Sequence, residues 1–238
     1  MIQKTLPIGI DDFKKIVEED YYFIDKTEMI KDLLTYKTEV TLITRPRRFG
    51  KTLNMSMLRY FFEKTELNHH SLFQNLKISK DEDMMKHCGR YPVLFLTLKD
   101  VKCNTWEETY QKIKGLIIDE FTKHDYLLEG DILKSTEKKY YQRVLDNVMT
   151  LSDAEETLKK LSCYLERYHK EKVIILIDEY DTPIDSGFHS SFYEQVVSFF
   201  RNFFSAALKG NSSLKFSVLT GIIRVSKESI FSGLNNIS

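Results

Sequence analysis

The chain has 238 residues, 42% of them hydrophobic, which is enough to bury one substantial core or two small ones. Its 35 lysines and arginines balance its 35 aspartates and glutamates, so no global positive field would hold the protein on nucleic acid or on an anionic membrane. The three scattered cysteines lack the pattern of a disulfide framework, and no stretch approaches the ~20 apolar residues of a membrane span, so we expect a cytoplasmic protein.

The first predicted helix lies near the N-terminus and follows an aromatic segment, residues 21–23. Asp25 and Glu28 have the spacing of a capping box, and apolar positions such as Ile30 and Leu33 come after them. This spacing favours a structural role for Asp25.

A strand predicted at 40–44 leads through a loop into a helix, and Gly50, Lys51 and Thr52 lie where the loop meets that helix. This is the context of a phosphate-binding P-loop. In such a loop backbone N–H groups surround the phosphates, the lysine reaches the terminal phosphates and the threonine hydroxyl coordinates Mg²⁺. The usual pattern opens with glycine, whereas this loop opens with Arg45. The predicted contacts to ATP are Arg45, Pro46, Arg47, Arg48, Phe49, Gly50, Lys51, Thr52 and Leu53.

Arg47 and Arg48 place two permanent positive charges in this loop. They either assist phosphate binding or stay solvated, and we prefer the solvated interpretation for at least one of them. The aromatic residues 21–23 are further candidates, as walls of an adenine pocket.

Three more apolar runs predict strands, at 93–98, 173–177 and 216–220. Their nearly continuous apolar character is typical of strands buried on both faces, as in a parallel sheet. Helical patterns between them indicate βαβ units with right-handed crossovers. The sequence therefore predicts an α/β protein, a three-layer P-loop NTPase fold with a mostly parallel sheet, as one domain over 1–238. The interval 100–170 is longer than one crossover requires and predicts a helical insertion of two or three helices.

Two apolar stripes within that interval have helical spacing and predict core-facing helices. A capping box is predicted at 152–155, ahead of the second stripe. The stripes consist of Trp106, Tyr110, Ile113, Ile117 and Phe121, and of Leu158, Leu161, Leu165 and Tyr168.

The strand predicted at 173–177 ends in two adjacent carboxylates, Asp178 and Glu179, at the edge where parallel α/β sheets bind ligands. The expected roles are Mg²⁺ coordination for Asp178 and general-base activation of the attacking water for Glu179. Neighbouring residues of a strand point to opposite sides, so a bend must bring Glu179 toward the γ-phosphate. Asp181 is a candidate for the outer coordination sphere of the metal. Alone, this segment could be a solvated acidic turn, but its agreement with the loop favours an ATPase.

The fourth predicted strand places Thr220 and then Arg224 at the same ligand edge. Thr220 could orient the attacking water, and Arg224 could sense the γ-phosphate or stabilise its charge. An ordinary exit from the strand is the alternative for Arg224.

Five segments of the chain together resemble the AAA-ATPase-like family. The resemblance extends over nearly the whole chain, and the arginine-rich stretch 45–51 is its most specific part; an arginine at the start of the loop is usual in that family. The segments are Pro7-Ile8-Gly9-Ile10 with Phe13, Tyr22-Phe23-Ile24-Asp25-Lys26-Thr27, Thr44-Arg45-Pro46-Arg47-Arg48-Phe49-Gly50-Lys51-Thr52, Asp178-Glu179-Tyr180-Asp181 and Leu219-Thr220-Gly221.

The resemblance implies that residues of the loop and of the acidic strand end carry the family's nucleotide roles, namely Gly50, Lys51, Thr52, Asp178 and Glu179. Residues at further motif positions, with less defined roles, are Asp25, Arg47, Arg48 and Arg224. Asp25 therefore stays a candidate contact to ATP. Family members often carry a C-terminal domain resembling PD-(D/E)XK nucleases. We expect that domain, the C-terminal strand and the lid to be absent here, with weak ATP turnover as the consequence.

The leading hypothesis is an ATPase module that couples the binding and hydrolysis of Mg-ATP to conformational change in an attached or partner module. One alternative is a nucleotide-gated switch with negligible hydrolysis. Another is a kinase for a small acceptor, which the adjacent carboxylates disfavour because they suit water as the acceptor. The sequence predicts no membrane partner, and it leaves nucleic acid and a homo-oligomer open.

Overall fold

The computed structural model describes residues 4–67 and 69–222. In this part of the chain the strands are β1 (Val40–Thr44), β2 (Val93–Thr97), β3 (Val173–Asp178) and β4 (Leu214–Gly221). They form one all-parallel sheet in the order β1-β4-β3-β2. The α/β class and the four predicted strands are therefore confirmed.

Strand β3 is apolar without alternation because both of its faces are buried. Val173, Ile175 and Ile177 belong to one hydrophobic cluster. Ile174 and Leu176 belong to another. None of these five side chains is more than 1% exposed. Since successive side chains of a strand point to opposite faces, the sheet is covered on both sides and forms the middle of three layers.

Helices cover the sheet in two groups, one for each hydrophobic cluster. Beside Ile174 and Leu176 lie α1 (Phe13–Glu18), α2 (Glu28–Tyr36), α3 (Lys51–Phe62), α4 (Glu82–Met85) and the 3-10 helices His69–Phe73 and Lys77–Lys80. On the other face lie α5 (Trp106–Thr122), α6 (Ser135–Leu145), α7 (Leu151–Glu155), α8 (Thr157–His169), α9 (Thr182–His189), α10 (Tyr193–Leu208) and the 3-10 helix Asp125–Leu128. Among the described residues, no helix is both long and apolar enough to cross a lipid bilayer.

The predicted insertion at 100–170 contains α5 to α8, which is more helices than expected. Its side chains share one hydrophobic cluster with β3 and α10, so the segment packs directly on the sheet. Both apolar stripes contribute to this cluster as predicted, except at Tyr168, which is 44% exposed. Tyr168 lies in the last turn of α8 and packs against the ring of Tyr126, with the centroids 5.0 Å apart.

Neither predicted capping box is formed: the one before α7 lies two residues earlier, and α2 begins without a side-chain cap hydrogen bond. Helix α7 begins after Thr150, whose hydroxyl accepts a hydrogen bond from the Asp153 N–H at 3.1 Å while the Asp153 carboxylate accepts from the Thr150 N–H. Residues 152–155 therefore lie inside the helix. Helix α2 has Thr27 as its N-cap, and the Asp25 carboxylate instead accepts a hydrogen bond from the Thr27 N–H at 2.9 Å. In both cases several polar residues compete for the cap, and the backbone conformation selects another one.

Candidate functional site at the carboxyl edge of the sheet

The carboxyl ends of β1, β4 and β3 meet at one edge of the sheet. Thr44 at the end of β1 pairs with Gly221, and the N–H of Arg45 donates to the Gly221 carbonyl at 3.1 Å. On the other side of β4, the N–H of Tyr180 donates to the Thr220 carbonyl at 3.0 Å. Adjacent strands lie about 4.8 Å apart, so the loop after β1 and the acidic end of β3 are separated by about 10 Å, with β4 between them. The two segments singled out in the sequence therefore share one edge.

The loop between β1 and α3 contains two residues with left-handed backbone and leads directly into a helix N-terminus. Arg48 and Gly50 both adopt left-handed conformations, with φ of 69° and 74°. Gly50 is also the N-cap of α3, whose first backbone N–H groups lack partners within the helix. Alternating left-handed residues followed by a helix N-terminus direct N–H groups into a concave surface. The loop therefore suits a phosphate.

Lys51 lies across its own loop. Its side chain is 8% exposed, and its amine donates hydrogen bonds to the carbonyls of Arg45 at 2.8 Å and Pro46 at 3.0 Å. These two bonds hold the lysine amine over the residues that open the loop. Lys51 thus connects the first residue of α3 to the first two residues of the loop.

The arginines of the loop are exposed and face different surroundings. Arg45 donates a hydrogen bond to the Thr44 carbonyl at 3.0 Å. Arg47 lines a hollow of about 510 Å³ together with Lys102 and Thr182. Arg48 lines another hollow, on the side of the N-terminal segment. Their exposure agrees with the solvated interpretation, and a phosphate contact by either stays a prediction.

Asp178 is a buried carboxylate, and only one of its two oxygens has a hydrogen-bond partner in the described part of the chain. The side chain is fully buried, and the Thr220 hydroxyl donates a hydrogen bond to Oδ1. Among the described residues no group bonds to Oδ2. A buried, half-paired carboxylate is costly unless a cation or another donor completes it. The free oxygen of Asp178 is a ligand of the kind that Mg²⁺ takes, as is the hydroxyl oxygen of a residue such as Thr52, and the ion fills its other positions with water and phosphate oxygens.

Glu179 provides the bend that the sequence interpretation required. Its φ is 52°, a left-handed conformation that non-glycine residues rarely adopt. The half-buried carboxylate accepts a hydrogen bond from the Thr182 hydroxyl at 3.3 Å, and the backbone N–H donates to Thr220 Oγ1 at 3.4 Å. Strained backbone of this kind is frequent at functional sites, where it directs a side chain out of the strand.

The side chains of Thr220 and Asp181 form hydrogen bonds that connect the ends of β3 and β4. The Thr220 hydroxyl is engaged with Asp178 and with the N–H of Glu179, which supports a positioning role over the expected contact to water. Asp181 is 4% exposed and accepts a hydrogen bond from the Ile222 N–H at 2.7 Å. Its carboxylate thus fixes the exit of β4, which favours this role over the outer sphere of a metal.

Gly221 is required where β4 meets the acidic turn. A Cβ at this position would lie 2.6 Å from Cε1 of Tyr180 and 2.8 Å from Oδ1 of Asp181. We expect Gly221→Ala to lower the free energy of unfolding by about 1–3 kcal/mol, because both neighbours are buried and must shift. Gly115→Ala is the control: nothing lies within 4 Å of its added Cβ inside α5, and it should stabilise by about 0.5–1 kcal/mol. Denaturant unfolding measures both, and equal stability of Gly221→Ala and the parent would contradict this packing.

Asp25 is bound to protein groups through both carboxylate oxygens. Oδ1 accepts from the side chain and N–H of Thr27, and Oδ2 accepts from the Lys77 N–H at 2.7 Å. Partial burial opposes ionisation, but these hydrogen bonds outweigh it and lower the pKa of Asp25. The structural interpretation of Asp25 is therefore favoured over a contact to ATP. Arg224 lies outside the described residues.

Two lysines near the site were missed in the sequence. Lys26 places its amine 4.0 Å from where a Cβ on Gly50 would lie. Lys99 pairs with Asp11 at 3.1 Å; this hydrogen bond raises the pKa of Lys99, and the nearby charge of Glu179 adds to the effect. Lys26 belongs to the segment 22–27 that carries the family resemblance, but no role was assigned to it from the sequence. No local pattern points to Lys99, because its partners are distant in the chain.

Comparison with known proteins identifies one family. The family model described as "Predicted AAA-ATPase" matches residues 7–231. A protein of Azotobacter chroococcum mcd 1, named "Uncharacterized protein in vnfD 5'region", is 31% identical over 239 residues. That similarity covers 100% of this chain and 41% of the relative, so the chain spans about two fifths of the relative's length. No solved structure matches the chain.

Proposed function

The chain belongs to the predicted AAA-ATPase family, and on this premise we propose that it binds Mg-ATP at the carboxyl edge of the sheet and hydrolyses it. The observation that carries the proposal is the oxygen of Asp178 that has no partner among the described residues. The other oxygen of this carboxylate accepts a hydrogen bond from Thr220 of β4. The next residue of β4, Gly221, accepts a hydrogen bond from the N–H of Arg45 at the start of the phosphate loop. Strand β4 thus contacts both the proposed cation site at Asp178 and the proposed anion site in the loop. This is the pair of sites that a metal-bound triphosphate needs.

In the proposed site, each group has one task. The N–H groups of the loop and the Lys51 amine bind the phosphates, while Thr52 and Asp178 would hold Mg²⁺. When bound, the metal supplies positive charge that stabilises the phosphate oxygens. Glu179 accepts the proton of the attacking water, and Thr220 fixes the relative positions of Asp178 and Glu179.

The same contacts offer a route from the nucleotide to the rest of the molecule. A phosphate that recruits the Lys51 amine takes it away from the carbonyls of Arg45 and Pro46. The Arg45 N–H is bonded to the Gly221 carbonyl, and the next residue, Ile222, is bonded to Asp181. Nucleotide binding would therefore shift the loop together with the exit of β4. We propose this as the means by which an attached or partner module senses ATP.

Lys51→Ala tests the proposed nucleotide site. We expect magnesium-dependent ATP binding, followed by calorimetry, to fall at least a hundredfold because a desolvated cation next to the phosphates is lost. Lys209→Ala is the matched control; this exposed lysine follows α10 and precedes the start of β4, at the opposite edge of the sheet. Equal ATP affinity of Lys51→Ala and the parent would reject the site.

Labelled γ-phosphate separates hydrolysis from the two alternatives. Release of free phosphate that depends on Mg²⁺ and on Lys51 supports the ATPase. Magnesium-dependent binding without release would instead indicate a nucleotide-gated switch. Label in a small acceptor and none in free phosphate would indicate a kinase.

A further inference from the structure

Several exposed apolar side chains lie beside the phosphate loop. Four of the twelve large hydrophobic side chains that are exposed in the described residues line one hollow next to it, namely Leu6, Tyr22, Ile24 and Phe49. Tyr22, Ile24 and Phe49 are 52%, 65% and 58% exposed. Contiguous apolar surface of this kind marks a binding site in soluble proteins more often than isolated exposed residues do.

These side chains surround a hollow of about 430 Å³ between the N-terminal segment and the loop. This volume lies within the range of small-molecule sites, about 300–1,000 Å³. The apolar part of its lining comprises Leu6, Pro7, Phe23, Ile24, Phe49 and Leu53, with Tyr22 beside them. Such a lining favours a flat, poorly hydrated ligand group over a charged one.

The phosphate loop forms one wall of the same hollow. Gly50 and Arg48 contribute to its lining, as does Lys26, whose amine lies close to Gly50. Two cations therefore lie at the loop end, and the apolar side chains make up the other walls. A nucleoside triphosphate has the matching distribution, with an apolar base at one end and anionic phosphates at the other.

The wall formed by the N-terminal segment, residues 22–25, is fixed by contacts within the protein. The N–H of Tyr22 donates to the Thr5 carbonyl at 2.9 Å. The ring of Phe23 packs edge-on against the buried Phe13, with the centroids 5.4 Å apart. Asp25 fastens the following turn to Lys77. A wall held in this way costs little entropy when a ligand binds.

We propose that this hollow is the nucleobase site of the protein, with Tyr22 and Ile24 covering the base and Lys26 contacting the phosphates next to Gly50. The assignment rests on the proposed function, because it requires the triphosphate to lie in the loop. It adds the residues that recognise the base, which the phosphate loop and the acidic strand end leave unassigned.

The test compares two ligands, ATP and inorganic tripolyphosphate, both with Mg²⁺. The parent should bind ATP at least tenfold more tightly, since only ATP carries a base. Tyr22→Ala and Ile24→Ala should each weaken ATP binding roughly five- to tenfold and leave tripolyphosphate affinity within twofold. Both side chains are more than half exposed, so their truncation is compatible with folding. Tyr36→Ala is the matched control, a tyrosine 75% exposed at the end of α2, ahead of β1 and at the far edge of the sheet.

Each outcome bears on one of the two proposals. If both ligands bind in a Lys51-dependent manner and the two variants bind ATP as the parent does, the base site is overturned and the proposed function stands. If tripolyphosphate binds as tightly as ATP, the base site is likewise overturned. If neither ligand binds, both proposals fail together. A change in the sedimentation of Tyr22→Ala with unchanged ATP affinity assigns the surface to contact between copies of the chain instead.

Discussion

Replacing Glu179 with glutamine is expected to lower the rate of ATP hydrolysis by about a hundred- to ten-thousandfold while ATP affinity stays within about twofold. The amide keeps the shape of the side chain and can still bond to the Thr182 hydroxyl, which now meets Glu179 at 3.3 Å. It cannot accept the proton of the attacking water. The substitution leaves the backbone at Glu179 unchanged, so we expect the left-handed turn to be retained.

The measurement is single-turnover release of phosphate, combined with calorimetric binding of ATP to the same preparations. Glu66→Gln is the control; Glu66 is exposed and follows α3, a helix about 18 Å long that begins at the loop. Its substitution should change neither quantity. Equal hydrolysis by Glu179→Gln and the parent would remove Glu179 as the base and leave the nucleotide site itself unaffected.

Asp178→Asn is expected to remove most of the increase in ATP affinity that Mg²⁺ causes. The parent carboxylate is fully buried, and among the described residues one of its oxygens has no hydrogen-bond partner; under the proposed function a cation fills that place. The amide offers a neutral oxygen in its place, and the Thr220 hydroxyl can still donate to it. We expect the affinity for Mg-ATP to fall about a hundredfold, with the affinity for metal-free ATP much less affected.

Calorimetric titrations with ATP, in the presence of Mg²⁺ and of a chelator, measure this difference directly. Asp185→Asn is the matched control, because Asp185 is exposed and lies in α9 close to the site. It should retain the full response to Mg²⁺. Should Asp178→Asn also retain it, the metal would have to be bound by other groups, and the unpaired oxygen of Asp178 would have another explanation.

The fold could be predicted because its signals are local. Strand β3 is apolar at every position from Val173 to Ile177, and this pattern alone indicates burial on both faces. The succession of strand, Gly50, Lys51, Thr52 and helix is likewise contained in a short stretch. Helix caps were predicted less well. Thr150 and Ser152 are both suitable caps, and the choice between them depends on the backbone on either side.

The candidate site could be predicted only in part, because its pairings join distant residues. The sequence indicated Asp178 and Thr220 separately, yet the hydrogen bond between them spans 42 positions and depends on β4 lying next to β3. Lys99 and Asp11 are 88 positions apart and meet near Glu179 only in the folded chain. No spacing rule relates such residues.

The amino-acid sequence by itself thus determined the layered α/β architecture, the loop from strand β1 into helix α3 and the acidic strand end, since each follows from neighbouring residues and their periodicity. The tertiary structure decided how these parts are combined. The strand order places β4 between the loop and Asp178. The packing leaves one oxygen of Asp178 without a partner among the described residues and brings the Lys26 amine close to Gly50. Contacts of this kind depend on which strands become neighbours, a property of the packed sheet that no single segment encodes.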